Sequence, residues 1–194
     1  MDTEKRNSVN TRATTIPALP TTYVRLGALI ALGLAAFVVG WLVMNRGGDE
    51  APAVSGATAT SESELRSFAE SASHPVYWAG PKDDFTYELT RTTDGRVYVR
   101  YLPEGTDAGD PRARFLTVGT YPRKGAFAEL KRAARADGAV SLKLERDGLA
   151  VFSDTRPTSV YFGYPDAQYQ VEVFHPSPSE ARRLALSGQV VPVR

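Results

Sequence analysis

The chain has no cysteine and only two histidines among its 194 residues. The first absence excludes disulfides, zinc–thiolate sites and thiol nucleophiles. No G-x-S-x-G elbow, H-E-x-x-H pair or phosphate-binding loop occurs, which disfavours serine hydrolysis and zinc chemistry. An excess of one charge is also missing. The net charge is +1, and from residue 63 onward 18 Lys and Arg face 17 Asp and Glu. Nucleic-acid binders carry a strong basic excess, so no nucleic-acid partner is expected, and no cofactor either. What remains is an average globular composition, 42% hydrophobic and 23% charged, which is enough for a packed core.

One stretch departs from that average. Residues 26–44, LGALIALGLAAFVVGWLVM, contain no charge. As a helix they would cover about 28 Å, close to the roughly 30 Å of a bilayer core. Trp41 suits an interfacial belt, and Arg25 and Arg46 bracket the run. The sequence therefore predicts a single transmembrane helix at 26–44, with the lipid bilayer as its partner. Lys5, Arg6, Arg12 and Arg25 precede it, whereas Arg46 stands among Asp49, Glu50, Glu62 and Glu64 after it. The positive-inside rule then places residues 1–25 in the cytoplasm as a disordered tail and the C-terminal part outside the plasma membrane. A cleaved signal peptide ending near Ala51-Pro52-Ala53 is the rival reading. The apolar run exceeds the usual 7–15 residues of such a peptide, which favours an uncleaved signal-anchor. Small residues at Gly27, Ala31 and Ala35, and at Gly33, Ala36 and Gly40, would also let two such helices approach, so a homodimer is compatible with the sequence.

Residues 45–62 are rich in Gly, Ala, Pro, Ser and Thr and read as a flexible tether that reaches some 20 Å. Residues 63–194 read as an α+β domain, antiparallel sheet packed with about three helices. Ser61 and Glu64 have capping-box spacing ahead of Leu65, Phe68, Ala69 and Ala72. Strands are expected at 76–78, 85–92 and 96–102, with Asp94-Gly95 as a hairpin turn, and near 114–121. Thr86, Glu88 and Thr90 alternate with Phe85, Tyr87 and Leu89, the pattern of a strand with one wet face. Residues 103–112 read as an exposed loop. A second helix is expected over about 125–136, then hairpins 142–144 with 149–152 and 160–164 with 169–174. A last helix is expected after the capping box of Ser177 and Glu180, with Pro178 at its first position. Val76–Pro81 echoes Val160–Pro165, each beside a His-Pro pair. A duplication and convergent hairpin chemistry both account for that echo.

Candidate chemistry is sparse. His74 and His175 flank prolines at element boundaries; catalysis by them would require proximity and an orienting carboxylate. Asp83-Asp84 and Glu104, Asp107 and Asp110 are loop carboxylates that could serve a hydrolase, but surface turns use the same residues. Arg123, Lys124, Lys131, Arg132 and Arg135 collect around the second helix, with Arg112 and Arg114 just before it. Such a patch could meet anionic lipid or an acidic envelope polymer. Tyr77-Trp78 and Tyr161-Phe162 are adjacent aromatics within strands, which point to opposite faces. One of each pair must pack behind helices or present a flat binding surface.

The segments HPVYWAGPKDDFTYELTRTTDGRVYVRYLP and RPTSVYFGYPDAQYQVEVF resemble uncharacterised bacterial single-pass membrane-anchored proteins with one extracytoplasmic domain. That resemblance spans about residues 65–191 and implies an envelope location, with no activity or site attached. The expected function is a tethered extracytoplasmic binding module of the bacterial envelope, contacting an envelope protein, a wall polymer or lipid. The alternative is a hydrolase-type envelope enzyme using the loop carboxylates or His74 and His175.

Overall fold

A computed structural model describes residues 56–194. The expected tail, the apolar run 26–44 and most of the tether lie outside the described residues. Among those described, no helix is long and apolar enough to cross a membrane.

The elements in chain order are β1 (Thr58–Thr60), α1 (Glu62–Ser71), β2 (Tyr77–Trp78), β3 (Phe85–Arg91), β4 (Val97–Pro103), β5 (Thr117–Pro122), α2 (Ala126–Ala133), β6 (Ala139–Lys143), β7 (Leu149–Ser153), β8 (Ser159–Gly163), β9 (Tyr169–Phe174), α3 (Pro178–Leu186) and β10 (Val191–Pro192). The fold is α+β. Eight strands form one antiparallel sheet in the order β1-β3-β4-β5-β9-β8-β7-β6, and β2 pairs with β10 in a separate ribbon. Two meanders thus meet at β5 and β9, where Val118 lies opposite Val173.

Local chemistry accounts for most boundaries. Ser61 caps α1 reciprocally: its Oγ accepts from the Glu64 N–H at 3.3 Å, and Glu64 Oε2 accepts from the Ser61 N–H at 2.7 Å. The equivalent expectation for α3 is corrected. Ser177 occupies the N-cap position without a side-chain cap bond, because its hydroxyl meets Ser179 Oγ and Glu180 turns to Arg183. The stretch expected to be a tether also contains a strand. Thr58–Thr60, within the stretch assigned to it, pairs with β3 as an edge strand.

One face of the sheet carries the main core. Tyr101, Val99, Val118, Val173, Val160, Phe162 and Ala150 meet Leu65 of α1 and Ala181, Leu184 and Ala185 of α3. Each large side chain buried in this way contributes about 1.5–3 kcal/mol. The β2 ribbon lies over the same face and is fastened by hydroxyls. Tyr101 Oη accepts from Ala79 N–H at 2.7 Å and donates to Gly80 O at 2.9 Å. Tyr87 Oη accepts from Lys82 N–H, and Thr120 Oγ1 accepts from Tyr77 N–H. These phenols have apolar rings and polar tips, so they fill the core and still satisfy backbone groups that leave the sheet.

The internal echo does not correspond to equivalent positions. β2 stands outside the large sheet, whereas β8, its counterpart in sequence, is an interior strand of it.

Candidate functional site

The opposite face of the sheet holds the largest departures from the sequence reading. Thr86, Glu88 and Thr90 were expected to face water, but Glu88 is fully buried and Thr90 nearly so. The residues after β4 explain the burial of Glu88. The 104–116 loop folds over this face, and Glu88 holds it there. Glu88 Oε1 accepts from Arg100 Nη1 at 2.7 Å, and its Oε2 accepts from the Gly109 N–H at 2.6 Å. Arg100 Nη2 donates to Asp110 O at 2.8 Å, and the guanidinium lies 5.0 Å from the Phe115 ring centroid. A buried pair with its remaining polar atoms satisfied is expensive to break from one side.

The centre of this face carries a second buried carboxyl, Glu172 of β9, which the sequence reading missed. Tyr161 Oη donates to its Oε1 at 2.8 Å, and Tyr121 Oη donates to its Oε2. Ser159 adds a further hydroxyl. Burial pushes the Glu172 carboxyl above its ordinary range, and the three hydroxyls pull it back in part. Tyr121 and Tyr161 are driven well above the usual phenol value, first by burial and then by the neighbouring carboxylate. No cation contacts Glu172 among the described residues. In sequence it reads as one polar position of the alternating run YQVEVF, so nothing local distinguishes it from a solvated strand residue.

The outer layer of this face is α2. Ala126, Leu130 and Ala133 face inward, and Leu130 and Ala133 cluster with Val151 and Tyr161. Tyr161 therefore packs its ring beneath α2 and bonds Glu172 through its hydroxyl. Gly125, with φ of 70°, begins the helix in a left-handed conformation that suits glycine. The outward side is cationic. Lys124, Lys131, Arg132 and Arg135 are exposed, and Arg123 is half-buried. Glu129 is the acidic residue of the helix; it takes Arg123 at 2.5 Å and Arg132 at 3.5 Å. Lys131 Nζ lies 5.2 Å from the Phe127 ring centroid, its stem covering the aromatic surface. Lys124 and Arg135 have no acidic partner among the described residues.

The other sequence candidates separate. Tyr77, Trp78, Tyr161 and Phe162 are 6%, 3%, 4% and 2% exposed, so the flat aromatic binding surface is corrected to core packing. Arg112 and Arg114 sit on the 104–116 loop, at the other end of β5 from α2, and both face Asp110. Arg112 holds the Asp110 carboxyl well below the usual range. Asp83, Asp84, Glu104 and Asp107 are exposed turn residues.

His74 and His175 lie at opposite ends of the sheet. His74 Nε2 is 2.7 Å from Gly95 O in the β3–β4 turn, whereas His175 Nδ1 accepts from Ser177 N–H beyond β9. No cluster of three or more His, Asp or Glu side chains suited to a metal ion occurs among the described residues. Compared with known proteins, the chain matches no family model, no curated protein and no solved structure.

Proposed function

We propose that this chain is a membrane-tethered, non-enzymatic module of the bacterial envelope, and that the outward face of α2 binds a polyanion. The observation that carries the reading is the exposure of Lys131 and Arg132 on one small helix whose other side is buried, with exposed Lys124 just before it, Arg135 just after it and Glu129 as the helix's own acid. The domain is otherwise close to neutral, so this concentration of positive charge is local. Cations on flexible stems above a rigid sheet suit repeated phosphates or carboxylates, which are recognised by charge density and not by a shaped pocket. The burial of the aromatic pairs removes the competing surface, and the separation of the two histidines weakens the hydrolase reading. The run 26–44 remains the proposed anchor that would keep this face in the envelope.

The test uses the full chain in discs of neutral lipid, with poly(glycerol phosphate) as a soluble probe and anionic lipid added to the discs as a second arm. Binding that weakens with salt and is lost in Lys131→Glu/Arg132→Glu/Arg135→Glu supports the proposal. The first arm identifies a polymer ligand and the second a lipid headgroup. Equal binding by wild type and the triple variant in both arms overturns it.

A further inference from the structure

We infer that the β6 edge is an interface between two copies of this chain, which join β6 to β6 as antiparallel strands. This does not depend on the polyanion reading, because β6 is separate from the outward face of α2.

Among the described residues nothing pairs with the outer side of β6. The free side can be identified from the ladder. Gly138 O accepts from Asp154 N–H at 2.9 Å, and Leu144 N–H donates to Gly148 O at 2.8 Å. Alternation then directs the N–H and C=O groups of Val140 and Leu142 to β7, and those of Ser141 and Lys143 outward together with the Ala139 C=O, the Ala139 N–H being taken by Ala136 O. The edge at the other end of the sheet, β1, has only three residues; β6 has five, with no proline in it. Val140 and Leu142 are 37% and 39% exposed, among the few large apolar side chains that the fold leaves in water. Both stand on the core face of the sheet, opposite Phe152 and Ala150.

An edge of this kind invites a strand, and proteins usually blunt such edges. Lys143, the one charged residue of β6, would discourage an arbitrary partner. A second copy fits better. With a two-fold axis through Ser141, Ser141 faces Ser141, Val140 faces Leu142 and Ala139 faces Lys143 of the other copy. The Ser141 N–H and C=O, the Ala139 C=O and the Lys143 N–H then find partners, while the Ala139 N–H keeps its bond to Ala136 O at 3.1 Å. The exposed apolar pair closes upon itself in two non-hydrogen-bonded positions, where cross-strand side chains approach most closely. Ala139 lies opposite Lys143 of the second copy, so Asp137, in the turn just before β6, stands at the same end of the edge as that lysine. Asp137 is exposed and, like Lys143, has no ion-pair partner among the described residues. The charge that repels other strands is therefore matched by the chain's own sequence.

The absence of cysteine makes the test direct. In the purified full chain, Ser141→Cys places two thiols on the axis, where paired Cα atoms about 5.5 Å apart lie within disulfide range. Mild oxidation is expected to link Ser141→Cys into a dimer at least about tenfold faster than Asp107→Cys on the distant loop, because the dimer raises effective concentration. Adding Leu142→Lys to Ser141→Cys is expected to remove the advantage, with circular dichroism unchanged because position 142 is already in water. Equal rates for the Ser141 and Asp107 variants overturn the interface, as does cross-linking that survives Leu142→Lys.

Discussion

Glu172 lies directly between Tyr161 and Gly119, facing the first across β8–β9 and the second across β5–β9. Tyr161 reaches it with its own hydroxyl. Gly119 contributes empty space, and through that space Tyr121 folds back so that its hydroxyl meets the other carboxylate oxygen. A carboxyl with no cation against it among the described residues is thus held under α2 by three hydroxyls and a missing side chain.

The pH dependence follows from burial. Folding raises the Glu172 pKa above its unfolded value, so the folded state favours the protonated acid. The stability from this preference is fully present below the unfolded value and is lost as pH rises through the folded one. Wild type should therefore lose more stability than Glu172→Gln between about pH 5 and about pH 8. Urea unfolding of both proteins at the two pH values measures the difference. Parallel pH dependences would show that Glu172 does not titrate with folding.

Gly119→Ala should destabilise the domain by about 1–3 kcal/mol through overpacking. A Cβ there would stand 2.9 Å from the Tyr121 ring. The ring would have to leave Glu172, and the near-ultraviolet circular dichroism of the tyrosines should change with it. Gly163→Ala is the control. Its Cβ would meet its nearest neighbour, Leu130, at 3.6 Å, an ordinary contact.

Arg100→Met should cost about 3–5 kcal/mol, because it leaves Glu88 buried without its cation. Glu88→Gln/Arg100→Met should recover part of that loss. In both variants hydrogen exchange should accelerate in 104–116, since Arg100 and Glu88 hold the carbonyl of Asp110 and the N–H of Gly109. Protection unchanged in that loop would mean that the pair does not fasten it.

Charge reversal on α2 should separate binding from folding. Lys131→Glu and Arg135→Glu alter exposed positions and should shift stability by no more than about 0.5 kcal/mol. Leu130→Glu instead puts a carboxylate into the apolar seat on Tyr161 and Val151, and should unfold this layer. A cap substitution gives a calibration: Ser61→Ala should cost about 1 kcal/mol by removing the hydroxyl that accepts from the Glu64 N–H, while the backbone N–H of residue 61 still donates to the Glu64 carboxylate. Thermal unfolding of the set gives the ranking.

The sequence alone determined most of the elements, because their signals are local; the short strands β1 and β10 were not among them. Ser61 and Glu64 mark the start of α1, Asp94-Gly95 turns β3 into β4, and the spacing of Phe127, Leu130 and Ala134 marks α2 as a helix, though of these only Leu130 joins Ala126 and Ala133 on its buried side. The same locality limited the reading. Glu88 and Glu172 sit at the polar positions of alternating strands, and alternation says which side a residue takes, not what later covers that side. A loop some twenty residues from Glu88 and a helix some forty from Glu172 removed the water. Only tertiary structure could decide that these carboxyls are buried, that the adjacent aromatics are core, and that β6 is left at an edge, because each depends on contacts between residues far apart in the chain.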